Sequence, residues 1–134
     1  AEIVGCSRAF LTKKRSGATV EMHEIHGANV QGKVCIINDD IMDTSGTITK
    51  AALALTSAGA LEVILTGTHP VFGGNAYENL QGSGLRVVTT DSLKTVPHDW
   101  KEVLPLGRYM AHAVLQNNIE NGSVSHIITQ GLPK

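Results

Sequence analysis

The stretch that most constrains the fold is Lys33-Val-Cys-Ile-Ile-Asn-Asp-Asp-Ile-Met-Asp-Thr-Ser-Gly-Thr-Ile48. Its consecutive apolar residues at 34–37 read as a strand. An apolar run without polar alternation suits a parallel sheet covered on both faces. The run stops at Asp39 and Asp40. Asp43 and the turn Thr44-Ser45-Gly46-Thr47 follow, and from Ile48 the apolar positions 48, 51, 52 and 55 have the spacing of a helix packed on a sheet. A strand, an acidic and hydroxyl-rich loop and a helix N-terminus together make a polar site at the carboxyl end of a strand, where open α/β sheets bind ligands. Backbone N–H groups around 45–48 suit a phosphate, and the helix macrodipole favours its charge. Two carboxylates do not attract a phosphate, but they suit sugar hydroxyls or a metal ion beside them. A helix cap would need only Thr44 or Ser45. It would not account for adjacent carboxylates at a buried strand end, which repel one another and lose hydration. The loop therefore reads as a sugar-phosphate site.

Around this centre the pattern alternates between strands and helices. Strands are expected at 3–6, 20–26, 61–65, 85–89 and 103–106, with a closing edge strand at 123–128. The basic stretch Arg8 to Thr19, containing Lys13, Lys14 and Arg15, is expected to end in a loop. Helices are expected from Ile48, around 75–80, and at 108–119, the last a surface helix over the sheet with Met110, Ala113, Val114 and Asn117 on one face. Gly59 fits the left-handed position after the first helix. Residues 66–74, Thr-Gly-Thr-His-Pro-Val-Phe-Gly-Gly, form a second loop expected on the same sheet edge as the acidic one. A strand, a helix and a parallel strand in succession define an α/β fold with a mostly parallel sheet flanked by helices. With 134 residues and no repeat, linker or low-complexity segment, a single domain over 1–134 is expected.

Bulk properties remove several function classes. A hydrophobic fraction of 42% and a charged fraction of 17% describe a folded chain. Apolar runs are too short for a membrane helix, and no signal peptide is visible. A net charge of −1 provides no field to attract nucleic acid. Cys6 and Cys35 read as small core residues in strands, and without a disulfide framework the cytoplasm is the expected compartment. The histidines do not make a metal site by spacing. His69 stands beside the cleft, where it either orients a ligand or finishes the turn with Pro70. Arg86 and Lys94 read as isolated charges. The Lys13-Lys14-Arg15 run reads either as a solvated face or as an arm that closes over a polyphosphate.

The segment Val34-Cys-Ile-Ile-Asn-Asp-Asp-Ile-Met-Asp-Thr-Ser-Gly-Thr-Ile-Thr-Lys-Ala-Ala resembles the phosphoribosyl-diphosphate (PRPP) motif of ribose-phosphate pyrophosphokinases. The resemblance extends through Leu-Thr-Gly-Thr-His-Pro-Val-Phe-Gly-Gly, Val-Val-Thr-Thr-Asp-Ser and the late Ser-Val-Ser. It covers nearly the whole chain and matches the C-terminal, ribose 5-phosphate-binding domain of those larger two-domain enzymes. It implies a type I phosphoribosyltransferase-like fold and transfer of the β,γ-diphosphate of ATP to ribose 5-phosphate, giving PRPP and AMP with Mg²⁺. Residue by residue, it implies that Asp39 and Asp40 hold ribose hydroxyls and the magnesium ion. Asp43, Thr44, Ser45, Gly46 and Thr47 would hold the 5-phosphate, and Lys13 and Arg15 would belong to a flexible catalytic arm. It also implies a homo-oligomer.

Asn38 and Ser45 depart from that family's pattern, which more often has an apolar residue and Ala, Gly or Cys there. The family's N-terminal domain, with its adenine contacts, magnesium-binding histidine and a pyrophosphate-contacting loop, has no counterpart in this sequence, which begins with Ala. The expectation is a part of a larger enzyme, inactive as the isolated chain. Two other readings are a phosphoribosyltransferase that consumes PRPP and a non-catalytic regulatory homologue. Lys13, Arg15 and the Thr-His-Pro block weigh against the first, and the intact acidic loop weighs against the second.

Overall fold

A computed structural model of the chain describes residues 5–16, 20–119, 122–125 and 131; within the first hairpin, the side chains of residues 13–23 lie outside the description. Two strands, β1 (Ala9–Ser16) and β2 (Val20–Gly27), pair antiparallel. A four-stranded, all-parallel sheet follows in the order β3 (Val34–Ile41), β4 (Glu62–His69), β5 (Arg86–Thr90) and β6 (Lys101–Leu104). Helices α1 (Gly46–Ser57) and α2 (Ala76–Ser83) connect β3 to β4 and β4 to β5, and α3 (Gly107–Asn118) follows β6. The expected α/β architecture, a parallel sheet flanked by helices, is the one observed.

The core lies between the sheet and the helix pair. Alternation along β4 and β5 buries Val63, Leu65, Val87 and Thr89, and Ile48, Ala52 and Leu55 of α1 with Ala76 and Leu80 of α2 close over them. Gly59, at φ +87°, takes the left-handed position after α1 as expected; its carbonyl accepts Gly32 N–H at 2.8 Å, fastening the helix end to the turn before β3.

Several expectations on the sequence are corrected. Among the described residues, the run 34–37 is not covered on both faces. Among the described strands β3 stands at the sheet's edge; Cys35 and Ile37 pack on the core, whereas Val34 and Ile36 are 52% and 65% exposed. An apolar run states that burial is favourable, not which neighbours supply it. Cys6 is exposed and Gly5 and Cys6 are not in a strand, while residues 3 and 4 lie outside the described residues. Cys35 is half-buried, and that burial raises its thiol pKa. Most of the basic stretch forms strand β1, through Ser16, and the loop expected at its end, 17–19, lies outside the described residues.

The strand expected at 61–65 runs on to His69, so the second loop shortens to 70–74. Helix α3 does not lie over the sheet. It contributes no buried residue, and Met110 and Val114 are exposed. Residues 123–125 are not extended, and 126–128 fall outside the described residues. Arg86 is not isolated: it donates to Glu102 Oε2 at 2.8 Å across the open sheet face, and this partner raises its pKa.

Candidate functional site

The site is built at the carboxyl end of β3. Successive strand side chains point to opposite faces. Asp39 therefore falls on the helix-covered side with Cys35 and Ile37, and Asp40 on the open side with Ile36. This alternation relieves the repulsion expected from adjacent carboxylates. Both are exposed, and each is oriented by the next backbone N–H: Asp39 Oδ1 accepts from Asp40 N and Asp40 Oδ1 accepts from Ile41 N, both at 2.9 Å. One oxygen of each carboxylate remains for a hydroxyl or a hard cation.

The loop after β3 is held by β4 and by the chain following it. Met42, 1% exposed, donates its N–H to His69 O at 3.0 Å and accepts Phe72 N–H at 2.9 Å. A Cβ on Gly67 would collide with the Met42 side chain, and one on Gly73 with Asp43 Oδ1; both glycines permit the close approach of the two loops. The expectation that both loops share one sheet edge is therefore met. His69 Nδ1 lies 3.0 Å from Ser92 Oγ. Ser92 Oγ also donates to Thr68 O at 2.9 Å, and Thr90 Oγ1 donates to the same carbonyl. These contacts join the carboxyl ends of β4 and β5.

Ser45 sets the entry into α1. Its backbone is left-handed, at φ 60° and ψ 1°, and it is 6% exposed. Its hydroxyl donates to Asp43 O at 3.4 Å, and no side chain caps the helix. Ser45 thus stands at the N-cap position without its side chain capping the helix. The first N–H groups of α1 are not taken by a cap side chain, and such groups at a helix N-terminus suit an anion. Thr44 and Thr47 are exposed beside that N-terminus.

Asn79 of α2, which sequence reasoning missed, donates from Nδ2 to Thr44 O at 3.0 Å and fixes the loop from outside. No local signal marks it, because the partner is 35 residues away. A non-glycine residue at φ +60° carries about 1–2 kcal/mol of strain. Ser45→Gly is therefore expected to raise stability by up to about 1 kcal/mol, the gain being trimmed by glycine's unfolded-state entropy. Ser45→Val should lose more than that, and chemical denaturation of the three proteins distinguishes the cases.

Lys13 and Arg15 lie in β1, registered against His23 and Glu21 of β2, so the expected flexible arm is a hairpin strand in its backbone; their side chains are outside the description.

A parallel α/β sheet whose acidic strand end leads into an uncapped helix N-terminus defines an α/β domain with a ligand site at its strand ends. A family model described as the phosphoribosyl synthetase-associated domain matches residues 16–106, and the chain belongs to that family. It is similar to ribose-phosphate pyrophosphokinase 1 of Listeria innocua, 40% identical over 124 residues, covering 89% of this chain and 38% of that protein. The ribose-phosphate pyrophosphokinase of Bacillus subtilis is 39% identical over 127 residues, covering 90% of this chain and 39% of the relative. Among solved structures, the phosphoribosylpyrophosphate synthetase of Mycobacterium smegmatis superposes with a TM-score of 0.69 at 33% identity, over 82% of this chain and 37% of that one. The chain thus spans less than two-fifths of the length of these relatives. No helix among the described residues is long and apolar enough to cross a membrane.

Proposed function

We propose that this chain supplies the ribose 5-phosphate site of a ribose-phosphate pyrophosphokinase, which transfers the β,γ-diphosphate of ATP to the sugar and forms PRPP and AMP. The observation that carries the reading is the left-handed Ser45 leading into an α1 N-terminus with no capping side chain, directly after two oriented carboxylates. The 5-phosphate sits on the backbone N–H groups and hydroxyls of Asp43, Thr44, Ser45, Gly46 and Thr47, and Asp39 and Asp40 accept from the ribose hydroxyls.

The donor set also fits Mg²⁺. Exposed carboxylates with free oxygens are hard ligands, and magnesium prefers a few carboxylates together with water and substrate oxygens. One carboxylate of the Asp39–Asp40 pair, on its own face of the strand, would hold it together with water and substrate oxygens, and when bound it would neutralise charge on the transferring diphosphate. The anomeric hydroxyl oxygen attacks the β-phosphorus of ATP, the bond to the α-phosphate oxygen breaks, and AMP leaves. Positioning and charge neutralisation do most of the work in such a transfer. The chain's contribution is to orient the attacking sugar, while Lys13 and Arg15 of β1 provide cations for the moving phosphoryl groups. ATP is bound with the help of the remaining length found in the relatives. A cytoplasmic homo-oligomer belongs to the same reading.

Isothermal titration of ribose 5-phosphate into the chain with Mg²⁺ is expected to give saturable heat that is reduced by EDTA. A longer protein carrying this domain should form AMP from ATP only when ribose 5-phosphate is present. Absence of binding with Mg²⁺ would overturn the reading in favour of a regulatory homologue. Pyrophosphate release from PRPP with a nucleobase, without need for ATP, would overturn it in favour of a phosphoribosyltransferase.

A further inference from the structure

A second polar centre lies away from the acidic loop, beneath the connection from β5 to β6. There a cavity of about 570 Å³ is bounded by Leu93, Pro97 and Val103 and lined by Lys94, His98 and Lys101. Lys101, at the start of β6, is only 9% exposed. Its ammonium donates to Val96 O at 2.7 Å and to Thr95 Oγ1, and it stands 5.4 Å from the Phe72 ring centroid. An ammonium has three N–H donors, and these bonds use two. No carboxylate pairs with it among the described residues, and burial alone lowers its pKa.

Buried lysines are ordinarily paired, because desolvating an uncompensated charge is costly. A neutral packing role would be served by leucine or methionine at this position. Asp91 also borders the cavity, but its Oδ1 accepts Leu106 N–H at 2.8 Å and is directed to the start of α3. Next to Lys101, Trp100 Nε1 is buried with no hydrogen-bond partner, and the Trp100 ring stacks on His98 with centroids 5.0 Å apart. Two lysines and an imidazole thus line a space of the size that takes small ligands.

We propose that this cavity is an anion site for a small phosphorylated molecule, with Lys101 as its principal contact and Lys94 and His98 at its mouth. The site is separate from the acidic loop and does not depend on the function proposed for that loop.

The chain contains one tryptophan, Trp100, which adjoins Lys101 and stacks on the cavity-lining His98, so its fluorescence reports on the cavity through that ring. Titration with inorganic phosphate is expected to change its fluorescence saturably, and Lys101→Met should weaken that response at least about tenfold. Thr47→Glu, which places a repelling charge in the other phosphate cradle, should leave it unchanged. A response that persists in Lys101→Met, or that disappears in Thr47→Glu, would overturn the proposal. Should Lys101→Met fail to fold, phosphate titration of the unmodified chain carrying ¹³Cε-labelled lysine decides the matter. A saturable shift of the Lys101 signal supports the site, and an unmoved signal shows that Lys101 only ties down the loop. Phenyl phosphate in a parallel titration separates the two sources: tighter binding than inorganic phosphate marks a phosphate ester, and equal or weaker binding marks the free ion.

Discussion

Asp40→Ala is expected to weaken Mg²⁺-dependent ribose 5-phosphate binding by roughly 10- to 150-fold, as measured by titration calorimetry, while leaving the unfolding midpoint nearly unchanged. The magnitude follows from losing one or two hydrogen bonds to a charged acceptor, about 1.5–3 kcal/mol in all. The stability expectation follows from position. Asp40 is exposed at the end of an edge strand, and its one internal bond, to Ile41 N–H, can be replaced by water. Surface changes of this kind stay within about 0.5 kcal/mol. Asp39→Ala provides the comparison, because the two carboxylates face opposite sides of the pleat. If the sugar lies on the open side, Asp40 carries the larger loss, and if it lies under the helices, Asp39 does. Unchanged affinity in both variants would remove the carboxylates from the site altogether.

Leu65→Ala should cost about 2–5 kcal/mol of folding stability, a large share of the 5–15 kcal/mol typical of a domain. Leu65 is 0% exposed in β4, flanked by β3 and β5 and covered by the helix pair, so the deleted atoms leave a cavity that a sheet cannot readily close. The change should appear as a lower urea midpoint with little change in slope. Leu65→Met conserves volume and should lose less than about 1.5 kcal/mol. A loss for Leu65→Ala no larger than for Leu65→Met would contradict the packing described. Because β4 leads into His69 and Phe72, which bond Met42, ribose 5-phosphate should partly restore the midpoint of Leu65→Ala if the proposed site is intact in its folded fraction.

The close approach of the two loops shows where sequence reading succeeds and where it stops. Val34 to Thr47 announces strand, carboxylates, turn and helix in order, because each of those preferences acts over a few residues. The same local logic correctly foresaw Gly59 as the left-handed residue after α1 and the second loop on the same edge. It could not foresee that Gly67 and Gly73 clear space for Met42 and Asp43, since that requires two segments to be brought together. Asn79 escaped notice for the same reason, and so did Lys101, whose burial depends on the path taken by residues 91–98.

By itself the sequence determined which carboxylates and hydroxyls the acidic loop carries, the alternation that makes an α/β sheet and the family resemblance, all of which rest on neighbouring residues. Tertiary structure alone decided that β3 stands at the edge of the described sheet, that Asp39 and Asp40 diverge across it, and that α3 contributes no buried residue to the core. Hydrophobic burial and hydrogen bonding reward contact whatever the sequence distance, so a residue's neighbours are fixed only once the chain has closed on itself.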